Sequence, residues 1–265
     1  MANKYGRFTA DGDWSNTNNW SSTRTGATGA GAPSSNDDVY LLDPIQFPIT
    51  TGLSQAAVDL NSMTIGPDFN GSIGSAGSPL IIAVSGTSGA TLRVSGSGSV
   101  YITAGTNNID RAVIACRGAG RFWATGGTYT ILENRSGNNE VTSGCTATTV
   151  YNYSGVPLNL LAGSTVTTVY NFDGASLLCS TNLTTLTNDG TARCTNSVTI
   201  TTLHNYNAYT HQSTGTITTA NCYPGSTADA LAPFTVTTLN HHLGAKAFEN
   251  QTVSVTKSTT NTLGW

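Results

Sequence analysis

Charge is what this chain has least of. Asp, Glu, Lys and Arg make up 9% of its 265 residues, where about a quarter is usual. The net charge of −3 leaves no basic footprint for a nucleic-acid partner. No run of roughly 18 apolar residues offers a membrane span. The N-terminus, Met1 to Arg7, lacks the apolar stretch of a signal peptide, which predicts a protein made and folded in a cytosol. The five cysteines (Cys116, Cys145, Cys179, Cys194 and Cys222) are odd in number and form no CxxC pair. That argues against a disulfide framework or a zinc knuckle, and predicts buried, reduced thiols. No segment holds the apolar period of an amphipathic helix. No GxSxG, HExxH, phosphate-loop or dinucleotide fingerprint occurs, so no cofactor or metal is expected.

What the chain does have is Thr, Ser, Gly and Asn, and a phrase that returns: an apolar residue, two threonines, an apolar residue, one variable residue, then Asn. It reads Val166-Thr167-Thr168-Val169-Tyr170-Asn171, then Leu183-Thr184-Thr185-Leu186-Thr187-Asn188, then Ile200-Thr201-Thr202-Leu203-His204-Asn205. Weaker copies begin at Tyr129, Ala147, Ile217 and Val236. The first threonine of each phrase stands at 130, 148, 167, 184, 201, 218 and 237, so the interval between phrases stays nearly constant. A steady period of this size means stacked coils. The expected fold is all-β: a single-stranded parallel β-solenoid, three short strands and three corners to a coil. At ~4.8 Å per coil the seven phrases would build a rod roughly 30 Å tall.

Four segments follow. Residues 1–50, with Trp14, Trp20 and a Ser/Thr/Gly-rich stretch, read as an N-terminal cap or attachment arm, covering backbone groups that would otherwise pair with other chains. Residues 51–125 hold short apolar runs at uneven spacing, the mark of irregular early coils. Residues 126–245 carry the regular repeat, and 246–265 form a C-terminal strand or tail.

Stacking turns positions into columns. The residues before and after the Thr pair are nearly all apolar, so both should face inward. Two inward residues three apart cannot lie on one flat strand, which places a corner at or near the Thr pair. Beyond it, Asn134, Asn152, Asn171, Asn188 and Asn205 form an amide column. It is either a buried ladder of side-chain hydrogen bonds or an exposed ladder of turns. The outward neighbours of those Asn residues are rich in rings: Tyr151, Tyr153, Tyr170, Phe172, His204 and Tyr206. Such a stripe suits a subunit interface or a glycan platform, and plain stacking on a wet surface is the bland alternative.

Chemistry is harder to find. Sugar-cleaving solenoids need converging carboxylates. Here Asp173 and Asp189 each precede Gly, a turn pattern, and Glu133 and Glu140 stand apart. Asp37-Asp38 reads as a turn initiator sooner than a cation site, and His241-His242 as surface residues sooner than a metal clasp. Adjacent threonines do not give the Thr-x-Thr array of an ice-binding face.

The opening pattern Asp11-Gly12-Asp13-Trp14-Ser15-Asn16 through Asn19-Trp20, with Pro33 and Asp37-Asp38-Val39, resembles a loosely defined group of tailed-phage virion proteins. So does Asn61-Ser62-Met63-Thr64-Ile65-Gly66, followed by Phe69-Asn70-Gly71-Ser72-Ile73-Gly74 and Ser78-Pro79-Leu80. The resemblance spans roughly residues 8–85. It implies a capsid cement or decoration protein, a head fibre or a tail adhesin. Similar openings occur in bacterial surface proteins, from which this chain departs in lacking an export signal. The expectation is a non-enzymatic virion protein assembled in the host cytoplasm. It would dock on the major capsid protein or another virion protein, with Trp14 and Trp20 as candidate docking residues, and associate as a homotrimer. The alternative is an adhesin for host glycans.

Overall fold

In the computed structural model, all residues are described except 10, 46, 87, 88, 213, 249–252 and 262–265. The chain is a parallel β-solenoid, and the turn Thr17–Asn19 is the one helical piece among the described residues. Two compact units divide it, Met1–Thr146 and Ala147–Trp265.

The second unit holds the regular coils. Strands Thr165–Asn171, Leu183–Asn188, Ile200–Asn205, Thr216–Cys222, Phe234–His242 and Val253–Asn261 pair in parallel, each with the next. Val166 lies over Leu183, Leu183 over Ile200, Ile200 over Ile217, Ile217 over Val236 and Val236 over Val255. The partners thus follow one another at almost the interval of the phrase. The register passes over Thr167, Thr184, Thr201, Thr218 and Thr237, and all five are exposed. The strand bends outward at the first threonine of every phrase, so the apolar residues on either side both turn inward. Val166, Leu183, Ile200, Ile217 and Val236 are buried, as are Val169, Leu186, Leu203, Ala220 and Leu239.

A second parallel stack closes each coil: Leu158–Leu160, Ser176–Cys179, Thr191–Cys194, Ala208–His211, Thr227–Ala230 and Lys246–Ala247. Its inward residues complement one another in volume. Tyr209 sits between Ala192 and Ala228 in one column, and all three are buried. A large ring over a small side chain fills the coil interior without overpacking it. The neighbouring column runs Leu160, Cys179, Cys194, His211, Ala230. All five cysteines are free and buried. Burial pushes the Cys116, Cys145 and Cys222 thiols up to about 12, so they stay protonated and serve as small apolar fillers.

The first unit also stacks in parallel, on uneven coils. Lys4 lies over Val39, Val39 over Met63, Met63 over Leu92, Leu92 over Ala112 and Ala112 over Leu132. The interval between partners changes from coil to coil and settles only at the last two. The part before residue 80 is the least regular. Its connections are long, and the strand Asn3–Gly6 also pairs antiparallel with Trp20–Ser21.

Candidate functional site

The amide column is buried. Asn134, Asn152, Asn171, Asn188 and Asn205 are each at most 1% exposed. Asn152 Nδ2 donates to Asn171 Oδ1 at 2.7 Å, Asn171 to Asn188 at 2.8 Å and Asn188 to Asn205 at 2.8 Å. The second N–H of each amide goes to a backbone carbonyl, that of Ser176, Thr191, Ala208 and Thr227 in turn. Donors and acceptors are used up along the column, which removes the cost of burying so many amides. Asn134 accepts instead from Asn139 Nδ2, at 2.6 Å. The ladder is a structural device and holds the corner from which the rings project.

The rings beside that corner stack from coil to coil. Tyr151 lies on Tyr170 with centroids 5.2 Å apart, and Tyr153 on Phe172 at 4.4 Å with planes 2° apart. Tyr206 lies on Tyr223 at 4.1 Å with planes parallel, and Tyr223 stacks on His242 at 5.0 Å. His204 Nδ1 sits 3.1 Å from the Tyr223 hydroxyl. Burial and the hydrogen bond with Tyr206 push the Tyr223 phenol up to about 12. The backbone underneath is a continuous ladder: Phe172, Asp189, Tyr206 and Tyr223 each donate their N–H to the Asn carbonyl one coil earlier, at 2.7–3.0 Å.

The stripe read from the sequence is therefore two clusters. Tyr151, Tyr153, Tyr170 and Phe172 form one; His204, Tyr206, Tyr223 and His242 form the other. Between them one coil contributes Thr187 and Asp189, so both ring columns lose their ring at the same level. The result is a cleft of about 290 Å3 lined by Tyr170, Asn171, Phe172, Thr187, Asp189 and Tyr206. Gly190 lets the chain pass close beneath: a Cβ there would lie 2.4 Å from the carbonyl oxygens of Phe172 and Ala175. Tyr223 and His242 were left out of the stripe because Cys222 and His241 take the place of Asn in their phrases. The step from Tyr206 to Tyr223, equal to that from Asn188 to Asn205, was the signal that could have found the first of them.

Trp14 and Trp20 do not offer a docking surface. Both are fully buried, 4.8 Å apart edge to face, with Phe8 against them. Trp20 Nε1 donates to the Trp14 carbonyl at 2.7 Å. The surrounding motif is a hydrogen-bonded hub. Asp11 accepts from the Asp13 N–H, from Asn19 Nδ2 and from Asn16 Nδ2 at 2.7–3.0 Å. These bonds, the Asp13 N–H first, hold the Asp11 carboxyl below its ordinary range. These residues, which carry the resemblance described above, thus fold the N-terminal segment on itself.

Four further carboxylates are tied down in the same way. Asp37 accepts from Ala2 N at 2.9 Å and from Ser34 N and Oγ; Asp38 accepts from Asn61 and Ser62. Glu133 pairs with Arg111 and Arg135. Glu140 pairs with Arg121, whose guanidinium lies 4.7 Å over the Trp123 ring. Among the described residues no group of three or more His, Cys, Asp or Glu is placed to hold a metal, and no helix is long and apolar enough to cross a membrane. No family model matches the chain, and no curated protein or solved structure matches it.

Proposed function

We propose that this chain is a non-enzymatic structural protein of a tailed-phage virion that decorates or cements the capsid. The N-terminal segment would dock on the major capsid protein or another virion protein, and the β-coils would stand displayed, grouped as a homotrimer. The observation that carries this reading is how the polar side chains are used. Asp11, Asp37, Asp38, Glu133 and Glu140 hold turns and ion pairs, and the amides close a ladder. The chain's distinctive surface is then two clusters of stacked rings on a backbone-bonded frame. Such a frame suits a display part under mechanical stress, because each coil is held by main-chain bonds to its neighbours. The resemblance of residues 8–85 to virion proteins supplies the setting.

The test uses capsids stripped of the protein. Adding the purified chain back should restore binding and raise the temperature at which the capsids rupture. Absence of rebinding, or rebinding with no gain in heat resistance, would overturn the cement reading. A second reading, an adhesin for host glycans, is favoured by one observation: the one-coil gap in the ring columns.

A further inference from the structure

We infer that the cleft at Thr187 and Asp189 is a binding slot for one sugar ring of a neutral or N-acetylated glycan, sandwiched between Phe172 and Tyr206. The inference rests on the adhesin reading and gives it an address and a ligand class.

Size comes first. Phe172, Asp189 and Tyr206 occupy the same position on three successive coils. Two coil steps separate the rings of Phe172 and Tyr206, about 9–10 Å at the usual strand spacing. A flat guest touching both faces needs only about 7–8 Å, from contact distances of roughly 3.5–4.0 Å on each side. An aromatic side chain or a guanidinium would rattle in the slot. A chair-shaped pyranose is thicker, with C–H groups above and below its mean plane, and fills the gap while presenting C–H to both ring faces.

Polarity comes second. The wall between the rings is not apolar. Asp189 is exposed, and its carboxylate makes no hydrogen bond or ion pair among the described residues, unlike the carboxylates described above. Thr187 adds a hydroxyl beside it. A carboxylate accepts from two neighbouring hydroxyls at once, which is what the edge of a sugar ring offers. No Lys or Arg lines the cleft, and Asp189 would repel an anion. Uronic and sialic acids are therefore excluded from the class.

Rigidity comes third. Phe172, Asp189 and Tyr206 each follow the last residue of a paired strand, beside the amide ladder, and each donates its backbone N–H to the coil before, so their spacing is set before any ligand arrives.

The experiment is an array of immobilised oligosaccharides, covering neutral, N-acetylated and acidic sugars, probed with the full chain and with variants. Wild-type protein should bind neutral or N-acetylated sugars. Asp189→Tyr, which inserts the missing ring and plugs the slot, should lower affinity at least about ten-fold. Its thermal midpoint should be unchanged or higher, which separates loss of the slot from loss of the fold. Asp189→Asn should weaken binding with the shape kept. Tyr101→Ala, in the first unit where Tyr101 stacks on Trp123 at 4.1 Å, should leave affinity within about two-fold. No binding by wild type overturns both the slot and the adhesin reading. Binding that survives Asp189→Tyr, or that is confined to acidic sugars, overturns the slot and leaves the adhesin reading standing. If Asp189→Tyr instead dissociates an oligomer seen by sedimentation, the gap holds a side chain of a second copy and the slot is overturned.

Discussion

The regular coils and the N-terminal segment solve the same problem in opposite ways. Both must fold polar, charge-poor sequence with few large apolar residues. In the coils one Asn per turn is satisfied by the Asn of the next turn, so a single choice repeated closes the whole column. In the N-terminal segment nothing repeats. Asp11 has to find Asp13, Asn16 and Asn19 within its own loop, and Trp14, Trp20 and Phe8 bury one another. Repetition makes stability collective and its loss far-reaching, whereas a hub makes both local.

Substitutions can break that contrast. The largest effect is expected from Asn188→Leu. It leaves Asn171 without its acceptor and Asn205 without its donor, and removes the bond to the Ala208 carbonyl. A loss of roughly 3–5 kcal/mol should appear in urea unfolding, with faster amide exchange in the coils on both sides.

Acid gives the next effect. Burial pushes His211 down from 6.5 to about 4, with its Nδ1 2.6 Å from the Tyr209 hydroxyl. Below about pH 6.5 the unfolded chain takes up a proton that the folded chain refuses until about pH 4. Stability should therefore fall as pH drops through that window, by roughly 2–3 kcal/mol from this group. His211→Phe, which keeps the stack on Phe234, should flatten the pH dependence measured by thermal unfolding between pH 6.5 and 4.

Asp11→Ala should act locally. Hydrogen exchange should quicken at Asp13 and around Trp20, while the amides of Leu183–Asn188 keep their protection. Asp189→Tyr should give the smallest change and the opposite sign, about 1 kcal/mol of stabilisation from new ring contacts, read in the same unfolding assay.

The same contrast explains what the sequence could tell. The buried columns of Val169, Leu186 and Leu203, a corner near the Thr pair and the stacking of Asn171 in a column follow from a period, and a period is visible in one chain; that the Asn column is buried and that the bend falls on the first threonine came from the structure. The ring face was legible for the same reason. Its gap was not, because Thr187 and Asp189 matter only through what lies a coil away on each side. The parallel stacking of Val39, Met63 and Leu92 was hidden because the step from the first to the second differs from the step to the third, leaving no common interval to find. The burial of Trp14 and Trp20 was hidden too, since a hub of local hydrogen bonds leaves no pattern that separates a buried ring from an exposed one.

The most direct test of the stacked-coil account is to delete residues 183–199, one full coil, and compare the product with a chain lacking about half that stretch. The account predicts that the whole-coil deletion keeps its β circular dichroism and a cooperative thermal transition, because Val166 meets Ile200 in place of Leu183 and Asn171 meets Asn205. The half-coil deletion should lose both. If the two deletions unfold alike, residues one period apart do not lie over one another and the account fails.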